Sequence, residues 1–140
     1  MILCDSGPIF AAADRKSADH RRCVDLFTGL RLARRTLLLP PTVVAEVGYL
    51  LESRIGVFAE VAFLRAVSAR DFQLVDLVSE DFDRIADLVE QYADLPLGTT
   101  DASVIALAER LDITGVATLD RRHFSVVRPR HVDALKLVPE

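Results

Sequence analysis

Short apolar runs alternate along this chain with longer segments of helical periodicity, and this alternation constrains the fold more than any other feature. Apolar runs of this length predict buried strands, and amphipathic helices between them predict a parallel sheet that is covered on both faces. The predicted strands are Ile2–Asp5, Thr36–Leu39, Phe72–Val75, Gly115–Leu119 and Ala134–Val138. The sequence therefore predicts an α/β fold, whose ligand crevice should lie beyond the carboxyl ends of the strands.

The segments between the strands carry helix start and stop signals. The predicted helices are Pro8–Ala13, Ser17–Leu30, Thr42–Arg54, Val57–Ala69, Ser79–Tyr92 and Thr99–Leu111. Two of them have apolar residues at helical spacing, which are Cys23, Leu26, Phe27 and Leu30 in one, and Phe82, Ile85, Ala86 and Val89 in the other. No repeat, low-complexity stretch or shift in composition divides the chain, so we expect one domain over residues 1–140.

Composition narrows the class of protein. A net charge of −4 with 27% charged residues argues against disorder and against a protein made chiefly to coat nucleic acid. The hydrophobic content of 51% suggests that a partner covers some apolar surface. The start of the chain lacks the features of a signal peptide, and no apolar run is long enough to span a membrane, so we expect a cytoplasmic protein. The two cysteines, Cys4 and Cys23, form neither a metal motif nor a disulfide framework.

Four carboxylates stand out by their surroundings. Asp5 and Asp120 each follow a predicted strand directly, although aspartate is also common there as a turn or cap residue. Glu46 lies on a helix among apolar neighbours, where an unpaired carboxylate is costly unless a cation or a buried arginine compensates it. Asp101 lies in the first turn of its helix, which the helix dipole favours, yet Val104 and Ile105 place it on the inward face.

Together these four residues predict a single site. Carboxylates that converge on one crevice repel each other, and a divalent cation such as Mg²⁺ or Mn²⁺ relieves that repulsion because it prefers oxygen ligands. Such a site can bridge phosphate oxygens and activate water. The basic residues Arg15, Lys16, Arg121 and Arg122 follow the two strand-end acids and could contact phosphates at the rim, or could simply be solvated.

The chain resembles a PIN-domain ribonuclease of the VapC type, the toxin of bacterial toxin–antitoxin pairs. The resemblance covers nearly the whole chain and depends on four segments in order, which are Ile2–Gly7, Pro41–Val47, Leu97–Ala106 and Ala117–Phe124. It implies a three-layer α/β/α sandwich with a five-stranded parallel sheet in the order 3-2-1-4-5. The family's metal-binding acids then fall on Asp5, Glu46, Asp101 and Asp120, with Ser6 as a supporting hydroxyl residue.

The same resemblance implies an activity and partners. The expected activity is hydrolysis of RNA by a metal-activated water, with Mg²⁺ or Mn²⁺ as cofactor and no histidine as general base. Expected partners are a second copy of the chain and a VapB-type antitoxin, which would bind a groove near the helices of residues 42–69. We expect His20, His123 and His131 to be surface residues and Phe124 to lie in the core.

Two other interpretations remain open from the sequence. A PIN-like module that binds RNA or protein without catalysis would have the same fold. A phosphate-receiver domain would group Asp5, Asp76 and Lys136 at strand ends, but it needs an acidic pair after the first strand, which the sequence lacks.

Overall fold

The protein is built on five short parallel strands, which lie in the order β3-β2-β1-β4-β5 in a computed structural model that describes all residues, 1–140. The strands are β1 (Ile2–Cys4), β2 (Leu37–Leu39), β3 (Gln73–Leu74), β4 (Gly115–Ala117) and β5 (Lys136–Val138). This confirms the expected sheet and its strand order. The order reverses between β1 and β4, and this places their carboxyl ends side by side at the switch point.

Seven helices connect and cover the strands. They are α1 (Ser6–Ala13), α2 (His20–Leu32), α3 (Pro41–Arg54), α4 (Val57–Ser68), α5 (Ser79–Gln91), α6 (Thr99–Leu111) and α7 (Arg121–Val126). Because parallel crossovers are right-handed, the helices before β3 cover one face of the sheet, and those between β3 and β4 cover the other. The arrangement is the expected α/β/α sandwich.

The predicted element boundaries were wrong at places that matter for the site. Helix α1 begins at Ser6, two residues earlier than predicted, because the Asp5 carboxylate accepts a hydrogen bond from the Ser6 N–H and caps the helix. Helix α7 was not predicted; it begins after Asp120, whose carboxylate accepts from the His123 N–H. Strands β1 and β4 end earlier than predicted, which leaves both aspartates beyond the sheet ladder.

The core lies on both faces of the sheet and is almost entirely apolar. Leu3, Leu38 and Val116 are fully buried in the three central strands, and every residue from Ala102 to Ala108 in α6 is buried. Phe124 is buried, as predicted, and both cysteines are buried and free. None of the helices combines the length and apolar character that crossing a membrane would require.

Helix α5 buries a different face from the one that its spacing suggested. Phe82 is 53% exposed, and the inward stripe is Asp81, Ile85 and Leu88 instead. Asp81 is buried because its carboxylate accepts hydrogen bonds from Arg110 of α6 and from the Val78 N–H. An ion pair between the two helices therefore sets the rotation of α5, and apolar spacing alone does not show this.

Candidate metal centre

The two central strands deliver Asp5 and Asp120 to the same point. The Asp5 N–H donates to the Ala117 carbonyl oxygen at 2.9 Å, which continues the β1–β4 ladder by one bond. The Thr118 hydroxyl then donates to Asp5 Oδ2 at 2.8 Å and accepts from the Asp120 N–H at 2.9 Å. Thr118 therefore fixes both aspartates, and the sequence interpretation missed it. The sequence signal for Thr118 is a hydroxyl residue just after β4 and two residues before Asp120, at the point where β4 ends beside β1.

Helices α3 and α6 deliver Glu46 and Asp101, and two hydroxyl groups hold these helices together. The Ser103 hydroxyl donates to the Thr100 carbonyl oxygen at 2.6 Å, so the Thr42 hydroxyl donates to Ser103 Oγ across the helix pair, also at 2.6 Å. Glu46 and Asp101 are both half-buried. The predicted inward orientation of both acids agrees with these positions.

The four acids line one open pocket with a volume of about 630 Å³. Its lining residues are Asp5, Ser6, Gly7, Glu46, Asp101, Leu119, Asp120, Arg121 and Arg122. Ser6 contacts Asp5 through its backbone N–H, which donates to Asp5 Oδ1 at 2.8 Å, and not through the hydroxyl that was expected to support the acid. The structure therefore brings together the four predicted acids, the supporting serine and two of the four predicted basic residues.

The other two basic residues lie elsewhere. Arg15 and Lys16 line a separate cavity of about 480 Å³, together with Arg54 and Phe58. The short helix α1 separates them in sequence from Asp5, so their position soon after that acid did not bring them to its pocket. The rim of the acidic pocket carries Arg121 and Arg122 as its basic residues.

The carboxylates of the pocket destabilise each other's charged forms. Burial raises the pKa of Asp5 to about 7; the negative charges of Asp101 and Glu46 add to this shift, and the hydrogen bonds from Thr118 and Ser6 oppose it. Burial also raises the pKa of Asp101, and Asp120 and Glu46 raise it further, against a hydrogen bond from His123. The pocket thus concentrates negative charge that the protein's own groups do not fully compensate.

His123 belongs to this acidic cluster, and the prediction that it is a surface residue was wrong. Its Nδ1 atom lies 2.7 Å from Asp101 Oδ2 and 3.0 Å from Asp120 Oδ2. The other two histidines are also half-buried and bound to backbone carbonyls, since His20 Nδ1 contacts the Ala11 oxygen and His131 Nε2 contacts the Ile113 oxygen. The signal in the sequence was that His123 lies three residues after Asp120. In a helix that begins at Asp120, this spacing brings the two side chains together.

The donor set of the pocket fits a hard divalent cation. Carboxylate oxygens are the ligands that Mg²⁺ and Mn²⁺ prefer, and a bound cation would offset the repulsion that the charges of Asp101 and Glu46 exert on Asp5. Asp101, Asp120 and His123 each place a potential ligand atom within 4.8 Å of the others. These three residues can therefore hold a cation at the edge of the open pocket, whose lining includes Asp101 and Asp120.

Solved structures share this architecture. The VapC20 toxin of Mycobacterium tuberculosis, described as cleaving the sarcin–ricin loop, superposes with a TM-score of 0.76 over 86% of this chain and 91% of that chain, at 16% identity. VapBC2 from Rickettsia felis, solved with a DNA fragment from its promoter, gives a TM-score of 0.63 over 98% and 97% of the two chains, at 16% identity. FitAcB from Neisseria gonorrhoeae gives 0.61 over 89% and 91%, at 20% identity. At these identities the similarity shows a common fold.

Sequence comparison identifies the family. Residues 2–128 match the sequence model of the PIN domain. The chain is also 34% identical over 131 residues to ribonuclease VapC26 of Mycobacterium tuberculosis, which covers 91% of this chain and 93% of the relative. The receiver interpretation is therefore wrong, and neither Asp76 nor Lys136 lines the acidic pocket. The chain belongs to the PIN-domain family, with a close resemblance to its VapC ribonucleases.

Proposed function

We propose that this protein is a metal-dependent endoribonuclease and the toxin of a toxin–antitoxin pair, formed by a single PIN domain over residues 1–140. The observation that carries the proposal is the convergence of four carboxylates, from two strand ends and two helices, on one open pocket. The 34% identity to ribonuclease VapC26 supports RNA as the substrate. Because its substrate is RNA, we place the protein in the cytoplasm.

In this proposal Asp5, Glu46, Asp101 and Asp120 hold Mg²⁺ or Mn²⁺. The bound cation would supply the positive charge that polarises a phosphodiester and allows water to attack it at neutral pH. Asp5 is presented in one fixed orientation, since Ser6 and Thr118 each donate a hydrogen bond to one of its oxygens. That preorganisation costs nothing at the moment of reaction, which is the advantage of a rigid electrostatic site.

The rim of the pocket supplies a route for the RNA backbone. Arg121 and Arg122 are exposed at the start of α7 and line the same pocket as the acids. Their guanidinium groups can hold the phosphates next to the scissile one and offset the negative charge of the acids during approach. We therefore assign RNA contacts to these two arginines and expect a smaller effect from Arg15 and Lys16, which line another cavity.

An RNA cleavage assay tests the proposed activity. Purified protein should cleave total bacterial RNA in Mg²⁺ or Mn²⁺, and EDTA should stop the reaction. Asp5→Asn and Asp101→Asn should each reduce the rate at least a hundredfold, while Asp76→Asn, an exposed aspartate outside the pocket, should cleave at the normal rate. Cleavage that survives in EDTA or in both pocket variants would contradict the mechanism.

The same experiment distinguishes a toxin from an inactive binding module. Expression of the wild-type chain should arrest growth, and expression of Asp5→Asn should not. An inactive module predicts no cleavage in any metal and no dependence of growth on Asp5. That result would leave the fold intact and overturn the proposed activity.

We propose further that a VapB-type antitoxin binds the apolar groove formed by α1, α2, α3 and α4, which has a volume of about 520 Å³. Twelve of its fourteen lining residues are hydrophobic, including Ile9, Phe27 and Phe63 in its wall. Phe58, which lines the groove, and Val57 beside it are both more than half exposed, so α4 presents apolar side chains that a partner could cover. The proposed site uses α3 and α4, the helices expected from the sequence, together with α1 and α2.

Co-purification tests this partner. A short gene directly upstream should encode a small DNA-binding protein, and its product should form a stable complex with the chain. Phe58→Ser should weaken that complex without lowering the Tm of the free protein, because Phe58 is 74% exposed. Full binding by a folded Phe58→Ser variant would place the partner elsewhere.

We also propose that two copies of the chain form a homodimer. Val78 and Phe82 lie one helical turn apart at the start of α5, and both remain exposed outside the antitoxin groove. We place these side chains in the contact between copies. Light scattering should give the mass of a dimer for the wild type and of a monomer for Phe82→Glu; a dimeric Phe82→Glu variant would move the interface to another surface.

A further inference from the structure

We propose that His123 is a nitrogen ligand of the metal centre, and that it gives the site a preference for Mn²⁺ over Mg²⁺. This inference rests on the proposed function, because it concerns the cation that the nuclease would use. Neither the family's acidic ligands nor the sequence pattern assigned a role to this histidine.

The position of the imidazole nitrogen is the first observation. His123 Nδ1 lies 2.7 Å from Asp101 Oδ2 and 3.0 Å from Asp120 Oδ2. One potential ligand atom from each of Asp101, Asp120 and His123 lies within 4.8 Å of the other two, which is close enough for a single cation to be shared by all three residues.

The backbone of α7 also holds the imidazole ring of His123 in place. The His123 backbone N–H donates to Asp120 Oδ1 at 3.0 Å, so the same aspartate faces the backbone with one oxygen and the ring with the other. Phe124, the next residue, is buried and anchors α7 to the core. His123 is thus preorganised beside the carboxylates, and it need not change rotamer to reach a cation.

In the absence of a cation, His123 Nδ1 is hydrogen-bonded to Asp101 Oδ2, and Asp120 Oδ2 lies 3.0 Å from the same nitrogen. One N–H serves one of these two carboxylates well, whereas a cation can be shared by both of them and by the imidazole nitrogen. Mg²⁺ strongly prefers oxygen ligands, whereas Mn²⁺ and later transition ions accept imidazole nitrogen together with carboxylates. A mixed shell of carboxylates and His123 therefore favours Mn²⁺.

Electron paramagnetic resonance on the Mn²⁺-loaded protein tests the ligand directly. Pulsed spectra of the wild type should show coupling of the ion to nitrogen, and the coupling should change when histidine alone is labelled with ¹⁵N. His20→Asn should keep that coupling, because His20 is bound to the Ala11 carbonyl and does not belong to the cluster of Asp101, Asp120 and His123. Mn²⁺ that binds through Asp101 without any histidine coupling would overturn the proposal, even if His123→Asn fails to fold.

Binding measurements provide the second test. The Asn side chain can place an N–H donor where Nδ1 lies, so His123→Asn keeps the hydrogen bond but removes the aromatic nitrogen. We expect this variant to bind Mn²⁺ roughly tenfold or more weakly, with a smaller loss of Mg²⁺ affinity. An unchanged ratio of the two affinities would show that His123 is only a hydrogen-bond donor.

The outcomes separate this inference from the proposed function. Cleavage of RNA with Mn²⁺ bound through oxygen alone would overturn the role of His123 and leave the nuclease proposal standing. Coupling of Mn²⁺ to histidine in a protein that cleaves no RNA would support the role of His123 and overturn the nuclease proposal. Failure of the wild type to bind either cation would overturn both.

Discussion

Replacing Asp5 with asparagine should stabilise the metal-free protein at alkaline pH, although it removes a residue of the proposed active site. Asp5 is only 4% exposed, and its carboxyl group is raised in pKa by burial and, in addition, by the charges of Asp101 and Glu46. Burial and these neighbours raise its pKa from 3.8 to about 7. Without a bound cation, the folded protein therefore ionises Asp5 only at a cost in stability.

The pKa shift sets the size and the pH range of the effect. Between pH 3.8 and about 7, folded Asp5 keeps a proton that the unfolded chain has released, so the free energy of unfolding falls as pH rises through this range. At 1.36 kcal/mol per pKa unit, the full penalty above pH 7 is about 4 kcal/mol as an upper value. Asparagine keeps the acceptor for the Ser6 N–H but rearranges the contact with Thr118, so we expect a net gain of about 1–3 kcal/mol at pH 8.

Urea denaturation in EDTA at pH 5 and pH 8 measures this effect. Asp5→Asn should be more stable than the wild type at pH 8, and most of the difference should disappear at pH 5. Adding Mn²⁺ should make the wild type more stable than Asp5→Asn. A ligand that binds only the folded state stabilises it, by about 2.7 kcal/mol at a hundred times its Kd. Asp76→Asn, an exposed control, should show neither effect. If Asp5→Asn destabilises the protein equally at both pH values, mutual repulsion does not govern this pocket.

Two further predictions concern stability away from the pocket. Arg70 follows the C-cap of α4 and has a φ of 65°, a left-handed conformation in which a side chain costs about 1 kcal/mol. Arg70→Gly should therefore raise the free energy of unfolding by about 0.5–1 kcal/mol, and Arg65→Gly, inside α4, should lower it by about as much; equal signs would show that φ is not the cause. Burial alone would raise the pKa of Glu109, but hydrogen bonds from Arg84 and the Arg130 N–H hold it below its usual value. Glu109→Gln should therefore cost about 1–3 kcal/mol at pH 7 and progressively less as pH falls through the pKa range of Glu109. A constant cost in urea denaturation across that range would refute the charge contribution.

The sheet was predictable because its signals are local. Short apolar runs suffice to mark β1, β2 and β4. The strand order, and with it the switch point between β1 and β4, was expected from the resemblance to the PIN family and not from these local signals. The same logic located Asp5 and Asp120, whose positions directly after strands fix them at one edge. It also located Glu46 and Asp101, since apolar neighbours at helical spacing show which face of a helix turns inward.

The contacts that tune the pocket could not be predicted in this way. Thr118 acts through a hydroxyl that lies between two strand ends, and its importance depends on the lateral pairing of β1 with β4, which no single segment of sequence shows. The basic residues illustrate the reverse error. Arg15 follows Asp5 closely in sequence, but α1 intervenes and carries the chain away, so nearness in sequence did not bring it to the pocket.

His123 shows most clearly what decides a side chain's role in this protein. Its position three residues after Asp120 means little in an extended chain, because the two side chains would point in different directions. Once the Asp120 carboxylate accepts from the His123 N–H, the same spacing becomes one helical turn, and the ring lies against the carboxylate. Asp120 therefore has two roles, since it starts α7 and faces the pocket. Asp120→Asn should keep α7, because the amide oxygen still accepts the capping bond, whereas Asp120→Ala should lose both the cap and the position of His123.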